Sequence, residues 1–180
     1  MRDFLIPALL TNGPYTISNG QQVDSYIDMY QIILRGNLLK LLVMTTEDDI
    51  ALFPRFNFIA GRETAGALIA AKFAEERKIP SIVVRDNKRN HGTGHSLEVP
   101  DVFMDGLTPD SIFPNKTVLL VDDVSSAGVG MQDSIEKLRD GGFTVVGAYS
   151  IVYRGLGAHK IADHLHVPFK YLEYLPENVV

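Results

Sequence analysis

The sequence predicts an α/β fold in which helices flank a mainly parallel, twisted sheet. Two apolar runs, 81–84 and 118–121, are too short for helices and are typical of buried strands. An Ala-rich stretch ending near Lys78 predicts a helix, as does the segment 131–138, where apolar residues recur at helical spacing. Strands and helices that alternate in this way form a parallel sheet with right-handed crossovers. Such sheets bind ligands at the carboxyl ends of their strands.

Length and composition predict one domain. The chain has 180 residues, of which 46% are hydrophobic and 22% are charged, as in an ordinary globular protein. A chain of this length can bury a full core. We expect a single domain over residues 1–180, with roughly residues 1–30 and the C-terminal end as a candidate small cap.

Charge and residue usage exclude several classes of partner. The net charge of −5 argues against nucleic-acid binding as the main task. The N-terminal apolar run is too short for a secretory signal, and no stretch reaches the length of a membrane span. The absence of Cys excludes a disulfide frame and fits an intracellular protein. We therefore expect a cytoplasmic protein without nucleic-acid or membrane partners.

The first 51 residues predict three elements. Residues 1–11 are expected to form a short amphipathic helix, which ends before the turn signal Asn12-Gly13-Pro14. Residues 15–29 show two short extended pieces around Asn19-Gly20, a hairpin pattern. Apolar spacing from Met29 to about Ala51 predicts a helix that Gly36 interrupts.

A β-loop-α unit follows, and then the most polar segment of the chain. The unit spans 56–78, with a loop at Gly61–Thr64. The polar segment, 84–100, contains flexible Gly92 and Gly94 together with several cations, namely Arg85, Lys88, Arg89, His91 and His95. A cationic, hinged loop after a strand can neutralise charge on a departing anion away from water. The alternative is a solvated basic loop without a catalytic role.

The stretch 118–130 has the strongest functional signal. The apolar run 118–121 stops at two carboxylates, Asp122 and Asp123, and small residues then lead into a helix. A small-residue loop at a helix N-terminus directs several backbone N–H groups at an anion such as a phosphate. Carboxylates accept hydrogen bonds from a ribose diol but would repel a bare polyphosphate, so we expect a sugar phosphate. Alternatively, an α/β protein can end a strand in Asp-Asp without binding anything.

The remaining chain predicts two more strands. Residues 143–154 form a long apolar run that ends in Tyr153-Arg154-Gly155, and residues 168–172 read as a last short strand. Residues 100–117 are a Pro-containing loop that leads into the strand at 118. Three downstream histidines have no Asp, Glu or Cys at metal-ligand spacing, so we expect surface or packing roles for His159, His164 and His166.

The stretch 118–130 resembles the phosphoribosyl-pyrophosphate (PRPP) motif of the type I phosphoribosyltransferases. It is not a Walker loop, because no Gly-Lys-Ser/Thr ending is present. Three further segments resemble the orotate branch of that family. These are Tyr15 to Asp28, the loop pattern Arg-Lys-Glu-x-Lys-x-His-Gly with Arg85, Arg89, His91 and Gly92 in register, and Arg154 followed by Gly157 and Ala158.

The resemblance implies a role for each site residue. Asp122 and Asp123 would hold the ribose hydroxyls and stabilise positive charge at the anomeric carbon. Arg89 and His91 would be the catalytic residues of the loop, and Arg85 would join them in binding PRPP. The 5′-phosphate would bind Val124, Ser125, Ser126, Ala127, Gly128, Val129 and Gly130. The acceptor base would contact Tyr15, Ser126 and Arg154.

The resemblance also implies the reaction: transfer of the phosphoribosyl group from PRPP to orotate, which gives orotidine 5′-monophosphate and pyrophosphate. Magnesium is expected as an ion bound with PRPP, with no direct protein ligand assigned. Family members are dimers, so a homodimer is expected. Ser18, Ala65 and Asp86 stand where the family can place a Lys. Two alternatives remain: the same transfer to another nucleobase, and a PRPP-binding sensor with weak or lost catalysis.

Overall fold

The computed structural model describes residues 2–16, 20, 22–86, 96–99, 115–155 and 157–176. The predictions made for Ser18, for the loop cations Lys88, Arg89 and His91, and for the loop at 100–114 lie outside the described residues.

The N-terminus differs from the predicted amphipathic helix. Residues Asp3–Ala8 form a short 3-10 helix that contains Pro7, and strand β1 (Leu9–Leu10) follows it. Proline has no N–H to donate and interferes with a continuing α-helix, which accounts for the shorter element. Strand β1 pairs antiparallel with β4 (Tyr26–Ile27).

The predicted hairpin and the predicted helix break are both confirmed. Strand β2 (Tyr15–Thr16) pairs antiparallel with β3 (Gln22–Val23). The following helical segment is divided into α1 (Tyr30–Ile33) and α2 (Gly36–Ile50). Arg35 between them has an extended backbone, with φ −105° and ψ 100°, so the chain changes direction immediately before Gly36.

A six-stranded sheet forms the centre of the fold, in the order β10-β9-β8-β5-β6-β7. Its strands are β5 (Phe58–Arg62), β6 (Ser81–Val84), β7 (Leu97–Glu98), β8 (Thr117–Ser125), β9 (Thr144–Tyr153) and β10 (Phe169–Tyr174). All neighbours pair in parallel except β6 and β7, which pair antiparallel. The predicted mainly parallel sheet is confirmed, while the short edge strand β7 was not predicted.

Helices cover both faces of this sheet. Helix α3 (Ala65–Arg77) packs with α2 on one face, and helices α4 (Val129–Asp140) and α5 (Gly157–His164) pack on the other. Strand β8 supplies both cores by alternation. Leu119 and Val121 face the first core, whereas Val118 and Leu120 face the second. No helix in the described ranges is both long and apolar enough to cross a membrane.

Strand β8 continues past the four apolar residues that predicted it. Its pairing with β5 stops at Val121, opposite Gly61, because β5 ends one residue later. Its pairing with β9 continues to Ser125, opposite Tyr153. The two acids therefore lie on a strand that is paired on one side only, next to the loop that follows β5.

A partly buried hydrogen bond links α2 to the sheet. The hydroxyl of Tyr149, on β9, donates to a carboxylate oxygen of Asp49 at 2.9 Å. Burial, followed by the Asp49 interaction, raises the pKa of Tyr149 well above its usual value. The phenol thus remains a neutral donor at all physiological pH values.

Replacing Tyr149 by Phe is expected to lower the free energy of unfolding by about 1 to 2 kcal/mol, because Asp49 loses the donor to its carboxylate. Urea unfolding followed by circular dichroism measures this change. Tyr30→Phe is the matched control, since Tyr30 is 42% exposed. Equal stability of both variants would show that the Tyr149 hydrogen bond contributes nothing.

Candidate active site

The loop after β5 and the acid pair on β8 meet at one edge of the sheet. A Cβ atom placed on Gly66 would lie 3.1 Å from Oδ1 of Asp122, and one on Gly61 would lie 2.1 Å from the carbonyl oxygen of Gly66. No side chain fits at Gly61, so the small residues allow this close approach. The predicted loop Gly61–Thr64 and the stretch 118–130 therefore lie at the same edge of the sheet, where a parallel sheet binds its ligands.

The two carboxylates differ in their surroundings. Asp122 is only 7% exposed, whereas Asp123 is partly buried, and the Asp123 N–H donates to Oδ1 of Asp122 at 3.1 Å. Burial raises the pKa of Asp122 well above its usual range, and the neighbouring charge of Asp123 adds to this. Burial also raises the pKa of Asp123, while the backbone N–H of Val124 opposes the shift. Because burial is deeper at Asp122, we assign the negative charge of the pair mainly to Asp123.

This assignment predicts a pH-dependent gain of stability in an Asp122→Asn variant. The folded-state pKa of Asp122 is raised, so its contribution to stability is present at low pH and is lost as the pH rises above the ordinary carboxyl value of about 4. The variant is expected to be more stable than the parent by about 1 kcal/mol at pH 8, and by less at pH 5. Urea unfolding at both pH values tests this, and an advantage that does not change with pH would contradict it.

Residues 124–130, for which 5′-phosphate binding is predicted, connect β8 to α4 and are called the cradle below. Gly128 caps the N-terminus of α4 with φ +82°, and a Cβ atom there would lie 2.9 Å from Ala158 Cα, so only glycine fits. A cavity of about 630 Å³ opens at the cradle, and its lining consists of Arg62, Asp86, Asp122, residues 124–130, Met131 and Asp133. The structure therefore gathers Asp122 and all seven predicted cradle residues around one space.

Within the cradle, the two serines have different roles. The Ser125 side chain is buried, and its hydroxyl accepts a hydrogen bond from Ser150 at 2.5 Å. Ser126 is exposed, which leaves its hydroxyl accessible to a ligand. We therefore expect Ser126, together with backbone N–H groups, to contact an anion in the cavity.

Arg62 is a cavity residue that the sequence analysis missed. Its Nε atom lies 2.7 Å from Oδ1 of Asp86, and a Cβ atom placed on Gly130 would lie 3.0 Å from its guanidinium. The side chain thus lies against the phosphate cradle. The signal in the sequence is the cation itself, which stands inside the predicted loop Gly61–Thr64.

Arg85 lies outside the cavity lining. Its guanidinium contacts Glu63 at 2.9 Å and Glu98 at 2.8 Å. Glu63 follows β5 and Glu98 ends β7, so Arg85, which follows β6, links the β5 loop to β7. Its predicted role in binding PRPP stays a prediction.

Arg154 joins the N-terminal segment to the end of β8. It is 9% exposed, and its guanidinium donates to the carbonyl and the hydroxyl of Ser25 at 3.2 and 3.1 Å. Its backbone N–H donates to the Ser125 carbonyl at 2.8 Å. Ser25, which is 129 positions from Arg154 in the sequence, is thereby held next to the end of β8.

Two tyrosines of the N-terminal segment, Tyr15 and Tyr26, lie close to each other. The rings of Tyr15 and Tyr26 have their centroids 6.0 Å apart. Partial burial, and then the charge of Asp123, raises the pKa of Tyr26. Tyr26 is thus close to the acid pair. Tyr15 is a predicted site residue, whereas Ser25 and Tyr26 were not predicted to be in the site, although both lie in the segment Tyr15 to Asp28 that carries the resemblance.

Tyr153, which directly precedes Arg154, has a packing role. It is 1% exposed and stacks edge-on with His159 at 5.0 Å and with Phe169 at 5.4 Å. The packing role expected for His159 is consistent with this contact. Within the part of the chain that the structure describes, no cluster of three or more His, Cys, Asp or Glu could hold a metal ion.

The comparisons with known proteins agree with this geometry. The model of the phosphoribosyl transferase domain family matches residues 47–173. The orotate phosphoribosyltransferase of Pyrococcus abyssi is 30% identical over 149 residues, which are 82% of this chain and 76% of that protein.

Two solved structures have the same fold. The crystal structure of the orotate phosphoribosyltransferase from Aeropyrum pernix aligns with a TM-score of 0.70 and 30% identity, over 93% of this chain and 88% of that one. The Mycobacterium tuberculosis orotate phosphoribosyltransferase in complex with PRPP aligns with a TM-score of 0.69 and 20% identity, over 92% and 90%. At that lower identity, the likeness concerns the fold alone.

Proposed function

Because the chain belongs to the phosphoribosyl transferase domain family and is a pentosyltransferase, we propose that it transfers the phosphoribosyl group of PRPP to orotate. The products are orotidine 5′-monophosphate and pyrophosphate, in pyrimidine nucleotide biosynthesis. The observation that carries this proposal is the buried guanidinium of Arg154 at the end of β9, the strand next to the acid pair. A planar guanidinium suits a planar, acidic acceptor such as orotate.

The acid pair is assigned to the ribose. In the transfer, a ring nitrogen of the base forms a bond to the anomeric carbon, while the bond from that carbon to the pyrophosphate oxygen breaks. The departing pyrophosphate keeps the electron pair, so the sugar becomes positively charged in the transition state, and the proton that the base nitrogen loses passes to the pyrophosphate or to solvent. Asp123, the more exposed and more readily ionised member of the pair, would stabilise that charge and accept hydrogen bonds from the ribose hydroxyls.

The cradle is assigned to the 5′-phosphate. The backbone from Ser125 to Gly130 lines the cavity and leads into the N-terminus of α4. The exposed hydroxyl of Ser126 adds one donor. Arg89 and His91 remain proposed catalytic residues from the loop that follows β6.

Magnesium is proposed to bind together with PRPP. Carboxylate oxygens are ligands that magnesium prefers, and Asp122 and Asp123 provide them at the edge of the site, directly or through water. Bound there, the ion would screen the charge of the pyrophosphate. The single-domain organisation and a cytoplasmic location are proposed on the same grounds as in the sequence analysis.

A homodimer is also proposed. Several large apolar side chains of the segment 30–52 are exposed, with Leu34 at 72%, Met44 at 61% and Leu52 at 66%. Exposed apolar residues in one segment are typical of a surface that another protein covers. Sedimentation equilibrium tests the assembly state.

A second candidate acceptor is another nucleobase. The observation that favours it is the pair of contacts from Arg154 to Ser25, because the carboxylate of orotate would have to share or displace them. An acceptor scan separates the two proposals. Orotate, uracil, adenine, guanine and nicotinate are each incubated with PRPP and magnesium, and nucleotide formation is followed by chromatography. Product from orotate alone supports the first proposal, and product from another base alone supports the second.

A further inference from the structure

The cavity contains an ion pair in an unexpected arrangement. Asp86 stands where related sequences can place a Lys, which would put a negative charge at an anion site. In the structure, its Oδ1 lies 2.7 Å from Nε of Arg62, a cation on the opposite loop. Both side chains are partly exposed, at 35% for Arg62 and 40% for Asp86, and both line the cavity.

We propose that Arg62 binds the 5′-phosphate of PRPP in the cradle and that Asp86 is the positioning residue that directs it there. This inference rests on the proposed use of PRPP. The cation that binds the phosphate would then lie on the loop after β5. The sequence alone suggested instead that Asp86 replaces a cation and leaves the site with one cation fewer.

The location of Arg62 supports a contact with the cradle phosphate. Its guanidinium is so close to Gly130 that a Cβ atom there would lie 3.0 Å from Cζ and 3.0 Å from Nη1. Gly130 belongs to the first turn of α4, where backbone N–H groups are available to an anion. A guanidinium beside these groups adds a charge and several donors to the same anion site.

The terminal Nη groups of Arg62, and not its buried Nε, are the donors left for a ligand. Within the described residues, its side chain makes no aligned hydrogen bond, and its Nε–H is buried without an acceptor in line. Arg62 and Asp86 therefore form an ion pair at 2.7 Å whose geometry is not that of a hydrogen bond. A phosphate in the cradle would supply the oxygen acceptors that this guanidinium lacks.

Asp86 is held firmly enough to act as a positioning residue. Its backbone N–H donates to Oε1 of Glu63 at 2.9 Å, and its carbonyl accepts from Nζ of Lys137 at 3.0 Å. Lys137 also donates to the carbonyl of Arg85 at 2.8 Å, which ties this part of the chain to α4. The N–H and the carbonyl of Asp86 are thus both hydrogen-bonded, which fixes the position from which its carboxylate restrains Arg62 on the cavity wall.

The test is PRPP binding by calorimetry, which requires no acceptor base. Arg62→Gln is expected to weaken PRPP binding about 10-fold or more, because a hydrogen-bonded charge is lost. Arg62→Lys, which keeps the charge without the fork, should lie between this variant and the parent. Arg77→Gln is the matched control, since Arg77 pairs with Glu47 and does not line the cavity, and its binding should equal that of the parent.

Asp86→Asn separates positioning from simple electrostatics. Removing a negative charge from an anion site should strengthen PRPP binding, whereas losing the residue that directs Arg62 should weaken it. We expect about 2- to 5-fold weaker binding, with recovery in Asp86→Glu. In the Arg62→Gln background the same change should strengthen binding, because no cation remains to be positioned. Stronger binding in both backgrounds would overturn the positioning role.

Two partial ligands identify the phosphate. Competition with PRPP is measured for ribose 5-phosphate and for pyrophosphate. Arg62→Gln should weaken the binding of ribose 5-phosphate and leave the binding of pyrophosphate unchanged. The reverse result would overturn the assignment of Arg62 to the 5′-phosphate. Failure of the parent protein to bind PRPP would overturn this inference and the proposed function together. PRPP binding without use of orotate would overturn only the orotate assignment.

Discussion

Replacing Asp123 by Asn is expected to lower kcat/KM for phosphoribosyl transfer by about 100- to 1,000-fold, the usual cost of removing one group that stabilises transition-state charge. The change keeps the shape of the side chain and removes only its charge. Asp123 carries most of the charge of the acid pair, because Asp122 is the more deeply buried carboxyl. The effect should therefore appear mainly in kcat, with a smaller change in the dissociation constant of PRPP.

Asp122→Asn and Asp140→Asn are the companion variants. Asp122→Asn should have a smaller effect on kcat than Asp123→Asn, because the pKa of Asp122 is the more strongly raised. Asp140 lies at the exposed end of α4, so its replacement should leave the rate unchanged. If Asp122→Asn lost more activity than Asp123→Asn, the assignment of charge within the pair would be wrong.

Replacing Arg154 by Lys is expected to lower kcat/KM for orotate by about 30- to 100-fold, because Lys keeps the charge but lacks the planar fork that binds a carboxylate. The dissociation constant of PRPP should change by less than about 2-fold, since the effect is confined to the acceptor. Steady-state kinetics with orotate varied, together with calorimetry for PRPP, measure the two quantities separately.

Ser25→Ala serves as the control for a purely structural role of Arg154. It removes the hydroxyl contact at 3.1 Å but leaves the guanidinium in place. If Ser25→Ala lowers kcat/KM for orotate much less than Arg154→Lys does, the result fits a base-binding role of Arg154. Equal losses of orotate use and of PRPP affinity in Arg154→Lys would contradict that role, because they would indicate that Arg154 only holds the N-terminal segment on the sheet.

Local patterns were sufficient to predict most of the central sheet. The apolar runs at 81–84 and 118–121 and the helical spacing after 130 carry enough information for the parallel α/β core. The continuation of β8 to Ser125 was not predictable, because it depends on pairing with β9, a strand about twenty residues later in the chain. The edge strand β7 was missed for the same reason, since its two residues are a strand only by pairing with β6.

The candidate site shows the same division between local and long-range information. The acid pair and the cradle follow one another in sequence, and the structure gathers most of them around one cavity. Arg62 and Asp86 are 24 positions apart, so the sequence shows an acid in place of a cation but not the cation opposite it. Tyr153 directly precedes Arg154 in the sequence, yet its side chain packs into an aromatic cluster on the opposite face of the sheet, because side chains alternate along β9.

The most direct test of the account is the loss of orotate absorbance when the purified protein is mixed with PRPP and magnesium, with pyrophosphate release measured in the same sample. We predict that orotate is consumed and pyrophosphate released in equal amounts, and that Asp123→Asn reduces both. Orotate left unconsumed by a protein that binds PRPP in calorimetry would contradict the proposed function. The acceptor scan would then distinguish transfer to another base from a PRPP sensor without transfer activity.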